Sequence, residues 1–415
     1  MKLIPEYPKA LWILALGMLI NITGASFLWP LNSIYMTQEL SQTMSTAGFV
    51  LMLHAGAGVI GNLLGGFLYD RYGGKKTILY GIILATGSVF CLALFHHFLV
   101  YVGIMILLGF SNGLVFPSMY AMAGGVWPEG GRKTFNVIYV FQNVGVAIGS
   151  AIGGLVAQFS FTIVFFVNGL FYLLFLAIIW FGINERIAVQ PRAEMKGIGQ
   201  DNGENAIDQT QRILQRRGLI SLGIISFGFL ACWITYVQWQ TSVSVHMQGL
   251  GMSLSSYSLL WTINGGLILL AQPFTSFLTE KVLPTVKSQL LTGIVLFFIS
   301  LYILSQTEIY SGFLMAMIIM TIGEIFIWPA VPTAAQELAP KHKVGFYQGV
   351  VGSAATGGRM LGPLIGGFLF EAYNVQIMFY SMILICGIGL ICFITFDWVK
   401  REKKDKDTSQ AHSLP

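Results

Sequence analysis

The chain has 415 residues, of which 55% are hydrophobic and only 10% charged, with a formal net charge of +5. A soluble globular domain carries about 25% charged residues, so this composition argues against a soluble enzyme or a nucleic-acid-binding protein and excludes a disordered or collagen-like chain. One crossing of a bilayer core takes about 20 apolar residues, and the length has room for about twelve.

In chain order, a short polar N-terminus leads into an apolar run that is too long for a signal-peptide core and has no small-residue cleavage site. That run reads as a first span over 9–36. Further spans are expected at 45–69, 77–95, 99–125, 134–157 and 161–183. A polar segment, 184–217, reads as a linker, with a short amphipathic helix near 209–217. Six more spans are expected at 218–245, 253–279, 288–306, 310–336, 345–370 and 375–396, before a charged tail. The expected organisation is therefore all-α and integral to the membrane. It has a six-helix half over 1–183, a linker over 184–217, a second half over 218–397 and a tail over 398–415.

Lys and Arg placement sets the expected orientation, because cytoplasmic segments are enriched in both. With both termini inside, 22 of the 23 basic residues fall on the inner side, and Arg359 lies within a span. An odd number of spans would break this alternation. The expected location is thus the cell membrane, multi-pass, with cytoplasmic N- and C-termini.

The two halves echo one another. Pro117 and Pro128 recur as Pro329 and Pro340, an offset of 212 (329 less 117). Gly145, Gly149, Gly153 and Gly154 recur as Gly358, Gly362, Gly366 and Gly367, an offset of 213 (358 less 145). Two six-span halves in parallel repeat are a transporter arrangement with a site near the midplane.

The loop after span two reads Gly66-Phe67-Leu68-Tyr69-Asp70-Arg71-Tyr72-Gly73-Gly74-Lys75-Lys76. It resembles the signature loop of the major facilitator superfamily, Gly-x-Leu-x-Asp-Arg-x-Gly followed by basic residues. The resemblance implies the twelve-helix major facilitator fold and a cytoplasmic latch built from Gly66, Asp70, Arg71, Gly73, Lys75 and Lys76. Asp70 would face the N-terminus of span eleven, which favours an anion. The glycines of span five, with Ser150, resemble the antiporter motif of drug:proton exporters. That motif has Gly-Pro where this chain has Gly149-Ser150; the copy in span eleven does carry Pro363. Plain close packing of helices is the alternative reading of both stripes. The exporters' span-four Arg is replaced here by Gly109.

Glu324 and Arg359 lie deep in spans ten and eleven. Intramembrane charges usually face a bundle interior or a cavity, and low-dielectric surroundings disfavour the charged form of a carboxylate. Glu324, in Thr321-Ile322-Gly323-Glu324, resembles the span-ten acid of some multidrug exporters. That resemblance implies proton coupling through Glu324, with Arg359 beside it in role; a static ion pair between the two is the alternative. Asn112 is the repeat counterpart of Glu324 (324 less 212). A substrate cavity is expected from Asn21, Trp29, Asn32, Asn112, Gln142, Asn143, Trp233, Tyr236, Gln240, Asn264 and Trp328. Ser26, Gln238, Trp239 and Trp261 are candidates beside them. His54 reads as a packing residue or as a titrating one.

Cys91, Cys232, Cys386 and Cys392 sit in apolar runs without metal or disulfide spacing. Gly73–Thr77 does not complete a phosphate loop, and no HExxH or GxSxG occurs. The expected partners are a small-molecule substrate, protons and the lipid bilayer, with no cofactor, metal or nucleic acid, in a monomer. The favoured function is proton-coupled efflux of small amphiphilic, drug-like compounds by alternating access. The alternative is transport of a sugar or other metabolite.

Overall fold

The computed structural model describes residues 7–28, 31–157, 160–184 and 204–397. Among these the regular structure is helical. The first group comprises α1 (Lys9–Leu28), α2 (Leu31–Gln38), α3 (Met44–Tyr72), α4 (Gly74–Leu94), α5 (Phe98–Val126), α6 (Arg132–Ala157) and α7 (Phe161–Gly182). The second comprises α8 (Glu204–Tyr236), α9 (Ser242–Gly249), α10 (Leu254–Leu270), α11 (Gln272–Lys281), α12 (Val286–Gln306), α13 (Tyr310–Leu338), α14 (Val344–Ala372) and α15 (Val375–Thr395).

Nine stretches among the described residues are long and apolar enough to cross a membrane. The expected spans five, eight and eleven correspond to α6, the α10–α11 pair and α14, whose Gly and polar residues dilute their hydropathy. Three expected spans are interrupted. The first divides into α1 and α2. The seventh passes through a tighter helical turn at Val237–Gln240 before α9. The eighth breaks at Ala271, just before Pro273, which has no N–H for the helix ladder. The linker also ends earlier than its polarity suggests: α8 starts at Glu204, so the basic stretch before span seven is helical and continuous with it. The rest of the linker and the tail lie outside the described residues.

Side chains start several helices. Thr43, Ser160, Thr285 and Asn374 each accept a backbone N–H from the first turn of α3, α7, α12 and α15, supplying a partner the helix cannot. Gly73 separates α3 from α4 at φ +91°, a conformation that strains any residue with a Cβ.

The chain forms two compact units. Unit 1 is Met1–Gln190 with Gly265–Leu270 and Lys343–Met360; unit 2 is Pro191–Asn264, Ala271–His342 and Leu361–Pro415. Helix α14 thus contributes its first part to unit 1 and its second to unit 2. In unit 1, α3 packs on α5, α1 on α6 and α7, and α4 on α5 and α7. In unit 2, α12 packs on α13 and α15, and α8 on α15. These are the same neighbours in the repeat numbering: spans three–four, three–six and one–six match nine–ten, nine–twelve and seven–twelve.

The repeat extends to single atoms. Lys75 Nζ donates to the Trp180 carbonyl at the end of α7, 2.9 Å away. Lys287, 212 residues on, donates to the Ile394 carbonyl at the end of α15 and pairs with Asp397. Each cation meets the negative end of a helix.

Candidate transport site

In unit 2 the candidate residues converge on Glu324. It lies in the middle of α13 and is 3% exposed. Asn264 Nδ2, from α10, donates to Glu324 Oε2 at 3.1 Å and to Thr321 Oγ1 at 2.8 Å. Thr321 sits one helical turn before Glu324 and passes its own proton to the Met317 carbonyl at 2.7 Å. The Tyr236 hydroxyl hydrogen-bonds Glu324 as well. The carboxylate is therefore held by neutral groups from three helices, the partnering that a buried charge requires.

Aromatic rings surround this network. Trp328, one turn after Glu324, has ring-centre distances of 4.8 Å to Trp233, 5.2 Å to Tyr236, 5.5 Å to Phe229 and 5.8 Å to Phe297. Trp261 lies 6.2 Å from Tyr236. Trp328 and Trp261 are half-exposed, so this apolar lining is reachable by a ligand. Gln238 donates instead to the Gly362 carbonyl at 2.8 Å. Trp239 is fully buried and Gln240 is exposed, so neither joins the cluster.

Unit 1 carries a second polar group. Arg359 Nη2 donates to Thr356 Oγ1 at 3.2 Å, and Thr356 also accepts from Asn62 Nδ2 on α3 at 3.2 Å. Tyr120 OH donates to Gln142 Oε1 at 3.0 Å, and Tyr172 OH to Asn112 Oδ1 at 3.1 Å. Asn143 Nδ2 turns back to the Tyr139 carbonyl of its own helix. His54 Nδ1 lies 2.7 Å from the Met105 carbonyl; a carbonyl only accepts, so Nδ1 carries the proton. Asn112, Tyr120, Gln142, Asn143, His54 and Arg359 are half-exposed.

Asn21 and Asn32 are buried away from that face. Asn32 accepts from Tyr101 OH at 2.8 Å. Asn21 is 1% exposed, with no side-chain partner among the described residues. Trp29 lies outside the described residues.

The signature loop places Asp70 at the start of α14. Its Oδ1 accepts Gly345 N–H and its Oδ2 accepts Phe346 N–H, each at 2.8 Å. Gly66 permits the approach, since a Cβ there would lie 2.2 Å from the Gly345 carbonyl oxygen. Arg71 rests over the ring of Tyr72 at 5.3 Å, and Lys76 is exposed.

The two glycine stripes are packing surfaces. Added Cβ atoms at Gly145 and Gly149 would meet the Leu19 and Thr23 carbonyl oxygens of α1 at 2.8 and 2.3 Å. Those at Gly362 and Gly366 would meet Val237 and Gln238 beside α8 at 2.2 and 1.9 Å. Gly358 is buried, Pro363 is half-exposed and Gly367 faces open space. Gly153 and Gly154 continue the α6 stripe.

Asn62, Thr356, Tyr120, Phe229 and Phe297 join these groups without having stood out in the sequence. The polar residues among them are isolated within runs of small and apolar residues, which is the one signal that could have flagged them.

A polytopic helical protein with an internally repeated pattern of helix neighbours, a buried acid and a buried guanidinium has the make-up of a secondary transporter. The Major Facilitator Superfamily profile matches residues 14–350 and 224–413. The MFS-type transporter YttB of Bacillus subtilis (strain 168) is 46% identical over 407 residues, covering 98% of this chain and 99% of that one. The quinolone resistance protein NorA of Staphylococcus aureus (strain MRSA252) is 24% identical over 404 residues, covering 96% and 99%. The crystal structure of the human organic anion transporter MFSD10 (TETRAN) has the same fold, with a TM-score of 0.73 at 14% identity over 95% of this chain and 100% of that one. The chain belongs to the major facilitator superfamily. It is a multi-pass membrane transporter and not an enzyme.

Proposed function

We propose that the protein is a proton-coupled antiporter of the cell membrane that exports small amphiphilic, drug-like compounds by alternating access, with both termini in the cytoplasm. The observation that carries this reading is the buried Glu324, held by Asn264 and Tyr236 inside a shell of Trp and Phe rings. A carboxylate partnered only by neutral donors changes its net charge when it binds a proton, and that change can be exchanged against a substrate. The aromatic shell gives a flat apolar molecule large contact area, and a cation further attraction to the ring faces. Arg359 keeps its charge at all physiological pH values, so its part in coupling is to set the field rather than to carry the proton. Asp70, with the loop around it, acts as the conformational latch. The weak likeness to a quinolone resistance protein points the same way.

The test is ethidium efflux from proteoliposomes under an imposed pH gradient. The native protein responds to the gradient, and Glu324→Gln loses that response while still binding ethidium. An unchanged gradient response in Glu324→Gln would overturn the coupling role. Sugar-dependent proton uptake without ethidium transport would favour the metabolite reading.

A further inference from the structure

The polar residues of unit 1 have a chemical bias opposite to that of the Glu324 cluster. On α5, Asn112, Phe116 and Tyr120 are half-exposed at four-residue intervals on a helix whose neighbouring positions are mostly buried. Residues four apart lie on one helix face, so this stripe is one accessible face. Two carboxamides present themselves there, and both have their oxygen occupied by a tyrosine proton: Asn112 by Tyr172, Gln142 by Tyr120. A side-chain amide whose oxygen is held in this way offers its two N–H donors to anything that approaches.

Arg359 adds the charge. It lies roughly 13–15 residues from either end of α14, or about 20 Å of helix at 1.5 Å per residue. Its contact with Thr356, itself tied to Asn62 of α3, fixes the side chain. The guanidinium has five N–H groups, so the Thr356 bond leaves a planar fork able to take two oxygens of one anion. Its field reaches both Tyr120 and His54, which places it beside the Gln142 donor. Phe135, stacked on Tyr120 at 6.1 Å, and the half-exposed Phe116 supply an apolar border. No Asp or Glu occurs within α1, α4, α5, α6 or α7, nor in α3 before Asp70 near its end. An anion reaching this face therefore meets no like charge from those segments.

We propose that this face of unit 1 is a subsite for the carboxylate or sulfonate of an aromatic organic molecule, with the Arg359 fork and the Gln142 and Asn112 amides as its donors. Planar, two-oxygen anions fit a guanidinium fork, and an ammonium would not substitute for it. The subsite is independent of the direction of transport and of proton coupling at Glu324.

The test is calorimetric titration of the purified full-length protein in nanodiscs with 2-naphthoate, 2-naphthalenesulfonate and, as the isosteric cation, 2-naphthylmethylammonium. The native protein binds both anions. Arg359→Gln weakens them about tenfold or more, and Arg359→Lys recovers only part of the loss, because it restores charge without the fork. Gln142→Leu weakens them about threefold, whereas Glu324→Gln leaves them as in the native protein. No variant on this face weakens the cation.

The proposal is overturned if the native protein binds neither anion, if folded Arg359→Gln binds both as the native protein does, or if anion and cation weaken together. Should Arg359→Gln fail to elute as a monodisperse species, Gln142→Leu decides: unchanged anion affinity there overturns the subsite. Loss of gradient-driven ethidium efflux in Glu324→Gln is a separate result, so each reading can fail alone.

Discussion

Asp70 and Gly109 show how much a single position can decide. Both oxygens of Asp70 accept backbone N–H groups at the N-terminus of α14. Hydrogen bonds to a charged acceptor contribute about 1.5–3 kcal/mol, against about 0.5–1.5 for neutral ones. Asp70→Asn keeps one acceptor oxygen and loses the charge, and should slow transport about tenfold in a vesicle assay; an unchanged rate would refute the latch. At Gly109 a Cβ would lie 2.0 Å from the His54 carbonyl oxygen. Even alanine is overpacked there, and overpacking costs about 1–3 kcal/mol. Gly109→Ala should lower the melting temperature by several degrees, whereas Gly103→Ala, with nothing within 4 Å, should leave it unchanged or raise it. The same contact explains why the arginine that related exporters carry in span four has no room here.

The helices repeat their function as well as their order. Gly145 and Gly149 bring α6 onto α1, and Gly362 and Gly366 bring α14 against Ile234, Val237 and Gln238 at the end of span seven. Lys75 and Lys287 cap the last helix of each half. A cation at a helix C-terminus contributes about 0.3–1 kcal/mol. Lys75→Ala and Lys287→Ala should therefore each produce a small destabilisation in thermal unfolding, reduced at high salt. A loss of more than several degrees from either would mean that the lysine does more than cap. Helix positions were legible from runs of apolar residues, because a lipid-exposed backbone must bond within its own segment. The breaks at Val237–Gln240 and at Ala271 were less so. Local polarity sets a helix end only when water is the competing partner, and the polar run before span seven is helical from Glu204.

For the whole molecule, topology and chemistry separate cleanly. Twenty-two of 23 basic residues follow one alternation, and orientation follows from that bias. In a cysteine-free background, Glu308→Cys should react with a membrane-impermeant maleimide in intact cells, and Lys404→Cys only after permeabilisation. The reverse pattern would invert the assignment. The sequence by itself determined the class, the repeat, the orientation expected of it and the two charges worth examining, because each depends on composition or spacing along one chain. Only the tertiary structure decided what those charges touch. Asn264, Tyr236 and Trp328 meet at Glu324 from three helices, and Asn21 turns out to be buried away from the polar face of Asn112 and Gln142. A helix shows its neighbours every side by turns, and which side faces a partner is set by packing against residues far away in sequence. That is why a scarcity of charge could identify a transporter, while the separation of an acid-centred cluster from a donor-rich face needed the folded chain.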